Sequence, residues 1–159
     1  MAATAFAQDP VQPPTVVETR FGTFEFDQSN TLFMPCGPLG FASQRHFGLA
    51  NLPDPKLAAF KLLQSLENPE VSFILTPFEL TPDLISAEDL ESGAQSVGFD
   101  VKACNTMLIV TARSEPDGVK LSVNLRAPIL MDLSRRLARQ VVLGNADLPV
   151  RHAINGPQA

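Results

Sequence analysis

Fourteen prolines in 159 residues cut this chain into short pieces. A proline lacks the backbone N–H and clashes with the preceding helical turn, so long uninterrupted helices are not an option. The pieces between the prolines are apolar: 45% of residues are hydrophobic, with eleven Phe and neither Trp nor Tyr. Val16–Gly22 is β-branched and ends on glycine, and Thr23–Phe26 alternates with Phe24 and Phe26 on one face. Gly22 between them supplies a bend or bulge. Thr31–Met34, Phe47–Leu52, Val71–Leu75, Met107–Ala112, Val119–Leu125, Ile129–Leu133 and Gln140–Leu143 read as further strands. Glu115-Pro116-Asp117-Gly118 makes the strongest hairpin signal. One helix start stands out. Ser86 can cap a first turn carrying Glu88, Asp89 and Glu91, acids that suit the positive end of a helix dipole, and the helix is expected over Ser86–Ser92. Lys56–Leu66 has Leu57, Phe60 and Leu63 at helical spacing but lies between proline-bearing turns. Eight or nine short strands and one helix favour a small antiparallel β-barrel or sandwich in a single domain.

Charge is unevenly spread. Residues 1–61 carry four basic and five acidic side chains, residues 62–101 carry eight acids and no Lys or Arg, and residues 102–159 carry eight bases and four acids. The middle segment should repel nucleic acid and attract basic partners, or solvate one face. Met1–Pro14 has no basic region and no apolar stretch before Ala5-Phe6-Ala7, so it reads as a flexible arm rather than a signal peptide. Residues 155–159 read as a flexible tail, and the composition as cytoplasmic. No apolar run approaches the roughly 18 residues of a membrane span.

Catalytic and metal patterns are sparse. Cys36, His46, Cys104 and His152 are the only soft ligands and show no metal-binding spacing, so no metal or cofactor is expected. Cys104 adjoins a strand and reads as a small core residue. Cys36 in a Pro-Gly loop could act as a nucleophile with His46 or His152 as base. Arg135, Arg136 and Arg139 form the basic cluster that an RNA-binding β-barrel would use, or else a solvated sheet edge. In the loop Pro35–Gly40, Gly37 and Gly40 are expected in conformations closed to other residues, with Phe33 and Phe41 as anchors in the core.

Several segments in order resemble the FliW family of flagellar assembly factors: Thr19–Gly22, Phe33–Phe41, Leu63–Pro69 followed by Val71–Phe78, Val123–Ile129, Arg139–Leu143 and Pro149–His152. The resemblance covers residues 15–154. It implies a mostly β, barrel-like domain in which Lys56–Leu66 is extended, and a protein that is not an enzyme. It further implies binding to the translational regulator CsrA, relief of repression of flagellin messenger, and binding to flagellin itself. Nucleic acid and membranes would not be direct partners. Phe78, Glu79, Asp83, Glu88, Asp89 and Glu91, around the helix start, are the expected partner-binding residues. The RNA-binding barrel and the Cys36-dependent enzyme stand as alternatives.

Overall fold

The computed structural model describes residues 14–78 and 84–154. The expected arm and tail therefore lie outside the described residues, apart from Pro14. Strands β1 (Thr15–Thr19) and β2 (Gly22–Phe26) pair as a hairpin of their own. The rest of the chain builds one sheet from β3 (Thr31–Phe33), β4 (His46–Asn51), β5 (Lys61–Ser65), β6 (Ser72–Pro77), β7 (Asn105–Glu115), β8 (Gly118–Val123), β9 (Ile129–Asp132), β10 (Leu137–Gln140) and β11 (His152–Ile154). The sheet closes on itself because β7 pairs with β9 as well as β6, making a seven-stranded barrel of β3, β4, β5, β6, β7, β9 and β10. Its neighbours are antiparallel except β3 and β10, which meet in parallel at Phe33 and Leu137.

Alternation puts every second residue inside. Leu32, Phe47, Leu63, Leu75, Met107, Ile129, Met131 and Ala138 are buried together, so each of the seven strands contributes to the barrel core. A second cluster forms outside the wall. There α1 (Ala87–Ser96) lays Leu90, Gly93 and Ala94, spaced i, i+3, i+4, over a layer that includes Leu108, Leu130, Val141 and Leu143. A Cβ on Gly93 would lie 2.5 Å from Leu143 Cδ2, so any side chain at that position would require Leu143 to move.

The helix start agrees with the sequence, since Ser86 Oγ accepts the Asp89 N–H at 3.1 Å. The end does not: α1 runs through Gly93 to Ser96. It stops in a Schellman motif, with Gly98 at φ 76°, its N–H on the Gln95 carbonyl and the Phe99 N–H on the Ala94 carbonyl. Gly93, just past the expected end, lies inside the helix and packs on Leu143.

Three other expectations need correction. The last barrel strand is Leu137–Gln140, not Gln140–Leu143, because Arg136 turns the chain at φ 54° and pairing begins directly after it. Val141 and Leu143 continue extended, donating to the carbonyls of Pro128 and Arg126. Lys56–Leu66 divides into a 3-10 turn at Pro55–Leu57 and strand β5. Phe33 and Phe41 are not core anchors: they are 37% and 39% exposed, and Phe41 packs edge-on against Phe73 with ring centroids 5.3 Å apart. The roughly 3–5 kcal/mol cost of truncating a core Phe does not apply to them. The loop between them does use its glycines as expected. Gly37 and Gly40 have φ of 63° and 84°, and a Cβ on Gly37 would lie 2.4 Å from the Phe41 carbonyl oxygen.

An isolated two-stranded hairpin is marginal in water, so β1–β2 needs an anchor. Phe26 provides it. Its ring is buried over Gly48 of β4, where a Cβ would lie 2.1 Å from Phe26 Cδ1. Gly48 faces outward because its neighbour Phe47 faces the barrel core. Gly48→Ala should therefore cost about 1–3 kcal/mol by overpacking. The cost should nearly vanish in a Phe26→Ala background, as urea unfolding of the four proteins would read.

The β9–β10 turn generates a second prediction. Asp132 is buried and accepts from the Ser134 hydroxyl and from Arg135 Nε, both at 2.7 Å. The Ser134 hydroxyl first, then the Arg135 guanidinium, holds its carboxyl down at about 2. An unfolded Asp titrates near about 3.9. A depressed folded pKa stabilises the fold above the unfolded value, and that contribution is lost as pH falls toward about 2. Asp132→Asn should thus be less stable than the parent at pH 6, with the gap in urea midpoint closing between about pH 4 and pH 2.

Candidate functional site

The acidic stretch divides when folded. Glu67 and Glu70 lie in the turn before β6, whereas Glu88, Asp89 and Glu91 follow β6 on α1. Glu67 is an internal clamp: its Oε1 accepts the N–H groups of Arg45 (2.7 Å) and His46 (3.1 Å), and those bonds lower its carboxyl pKa. Asp100 caps the 3-10 turn Val101–Ala103 by accepting from the Lys102 N–H. Neither is a free acid.

The first turns of α1 are different. Glu88 and Glu91 are exposed and three residues apart, so they share one outer face of the helix. Asp89 is half-buried, and its Oδ2 accepts from Asn145 Nδ2 at 3.0 Å, which ties the helix to the loop after Leu143. Phe78 is half-buried against the cluster beneath the helix. Glu79 and Asp83 lie outside the described residues. Of the six residues expected to bind a partner, the fold therefore gathers Glu88, Asp89 and Glu91 on one helix and sets Phe78 against the same cluster. It gives Asp89 a structural bond as well.

The alternative sites fare differently. Arg135 is held by Asp132 and stacks its guanidinium 5.0 Å from the Phe99 ring centroid. Arg136 is a turn residue whose carbonyl accepts from the Phe33 N–H. Arg139 Nε is buried without a hydrogen-bond partner among the described residues. The three arginines therefore differ in their surroundings, with Arg135 bonded to Asp132, Arg136 exposed and Arg139 partly buried. Cys36 is exposed in the Pro-Gly loop, and no hydrogen bond joins it to His46 or His152 among the described residues. His46 faces Glu67 at 3.4 Å and packs on Phe33. Cys104 is half-buried, and burial raises its thiol pKa above the ordinary value, away from nucleophile behaviour. Among the described residues no group of His, Cys, Asp and Glu could hold a metal.

Sequence reasoning missed two features. One is the exposure of three large apolar side chains at and beside the Pro-Gly loop, Phe33, Leu39 and Phe41. Its signal was present: prolines and glycines at four of six loop positions leave little chain to carry the aromatics inward. The other is the network that fixes this loop. Gln64 Nε2 donates to the carbonyls of Ser65, Pro69 and Val71 at 3.0–3.2 Å. Ser65 Oγ donates to Gln44 and accepts the N–H groups of Glu67 and Asn68. Gln140 Oε1 accepts the Leu39 N–H at 2.8 Å.

The family model described as FliW protein matches residues 15–154. A flagellar assembly factor FliW from Clostridium botulinum is 30% identical over 135 residues, covering 84% of this chain and 92% of that protein. One from Syntrophotalea carbinolica is 33% identical over 140 residues, covering 87% and 96%. A crystal structure of the flagellar assembly factor FliW superimposes with a TM-score of 0.67 at 25% identity, over 87% of this chain and 95% of that one. The match spans the barrel, the hairpin and the helix together, and the chain belongs to the FliW family of flagellar assembly factors.

Proposed function

We propose that this protein acts by binding other proteins in the cytoplasm and not by catalysis. Its partners are a CsrA-type translational regulator, whose repression of flagellin messenger it relieves, and flagellin itself, which competes for it. Neither nucleic acid nor membrane is bound directly, and no cofactor is needed. Family membership supports an assembly role. Among the described residues, no helix is long and apolar enough to cross a membrane.

The observation that carries the reading is the exposed pair Glu88 and Glu91 on α1, in a stretch of 40 residues that holds no Lys or Arg. A regulator that binds RNA must present basic surface to phosphates. Carboxylates at the start of a helix would attract that surface during encounter and repel RNA from the resulting complex. Asp89 would add charge while anchoring the helix through Asn145. Phe78, with Glu79 and Asp83 in the segment leading to the helix, would complete the contact.

The test is a Glu88→Lys, Glu91→Lys variant, with Asp89 kept because its bond to Asn145 is structural. Association with a CsrA-type regulator, followed by stopped flow, should be about tenfold slower at low salt and less sensitive to added salt. Unchanged kinetics in the folded variant would remove the acidic face from the mechanism. No binding by the parent protein would remove the function.

A further inference from the structure

Strand β7 is longer than the barrel it closes. On the side of β6 it is paired only at Met107–Val110. On its other side it pairs first with β9 and then, from Val110 to Glu115, with β8. Among the described residues, 111–115 therefore have no strand neighbour on the β6 side, and all five are exposed. The cause is local. The Val71 carbonyl accepts from the Ser65 N–H and from Gln64 Nε2, which draws the start of β6 toward β5 and away from β7.

The direction of the backbone groups follows from one bond. Asn124 N–H donates to the Ile109 carbonyl at 3.1 Å, so Ile109 turns its polar groups toward β8. Backbone direction alternates along a strand. Ala112 and Ser114 accordingly point N–H and C=O outward to the open edge. Five residues of edge are about 17 Å long at about 3.4 Å per residue.

Beside this edge runs an open groove of about 880 Å³. Its floor is apolar, with Ile74, Val110, Ala112 and Leu121 on one face of the sheet. Phe60 and the β1–β2 hairpin tip close its sides. Among the described residues, the one charged side chain in its lining is Arg20, stacked 4.9 Å from the Phe21 ring centroid. Sheet edges are commonly defended by charges. Here Arg113 pairs across with Lys120, and both alternate with Ala112 and Leu121, so these charges occupy the opposite face. The groove face of the edge is undefended.

We infer that this groove is a strand-addition site, taking an extended segment of a partner protein whose apolar side chains enter the groove and whose carboxylate meets Arg20. The open edge of β7 supplies backbone hydrogen bonds, the floor selects alternate apolar residues, and the lone guanidinium selects an acid. The site is separate from the acidic face of α1 and does not rest on it.

The experiment pans a phage-displayed random nonapeptide library on the full chain, then measures synthetic versions of enriched peptides. Enriched peptides should alternate apolar residues and carry an acid, and bound peptide should slow hydrogen exchange at the Ala112 and Ser114 amides. Ser114→Pro removes an edge donor at a position where sheets tolerate proline, and it should weaken binding about tenfold. Arg20→Glu should do the same, and Glu88→Lys with Glu91→Lys should change nothing. Absence of enrichment would overturn the inference. So would peptides indifferent to Ser114→Pro in the folded variant, which would mean that the groove takes a helix or a small apolar molecule. Concentration-dependent dimers that protect the same amides without peptide would assign the edge to a second copy and equally refute it.

Discussion

Everything in this molecule hangs on the double use of one edge of β7. That edge pairs with β9 near its start and with β8 beyond. The first pairing closes the barrel and leaves no open edge within it. The second carries β7 out of the barrel as a ribbon with β8, to which β11 adds. Closure also fixes the inside, since seven strands must each deliver an apolar residue to the same space. Any register slip would turn those residues outward. The ribbon and the wall beneath it then provide the outer surface on which α1 packs.

A second constraint governs the end of the barrel that bears the Pro-Gly loop. Gln64, Ser65 and Glu67 satisfy turn backbone groups within their own segment and also hold Gln44, Arg45 and His46. Buried polar side chains are costly unless bonded, and here the bonds join two turns that are distant in sequence. The loop can leave Phe33 and Phe41 partly exposed because hydrogen bonds, not aromatic anchors, hold it.

The sequence carried the local features well and the distant ones poorly. Proline spacing and alternation made the β character legible, and Ser86 with its acids located the start of α1. The Glu115-Pro116-Asp117-Gly118 turn marked the β7–β8 hairpin. Barrel closure left no such mark. The parallel contact of Phe33 with Leu137 joins positions about a hundred residues apart, and no local pattern encodes that register. The end of α1 was not legible, because Gly93 inside the helix is accommodated by its neighbour Leu143, which no local pattern reveals. The acidic stretch was legible as charge but not as a surface. Only the fold shows Glu67, Asp89 and Asp100 bonded and Glu88 and Glu91 exposed.

The central claim is that the face of α1 bearing Glu88 and Glu91 receives a basic regulator. Hydrogen–deuterium exchange of the full chain, free and saturated with a CsrA-type regulator, locates the contact without altering any residue. The account predicts slowed exchange across residues 84–91, with the amides of residues 111–115 unchanged. A footprint elsewhere on the barrel, with the α1 amides exchanging as in the free protein, would contradict it.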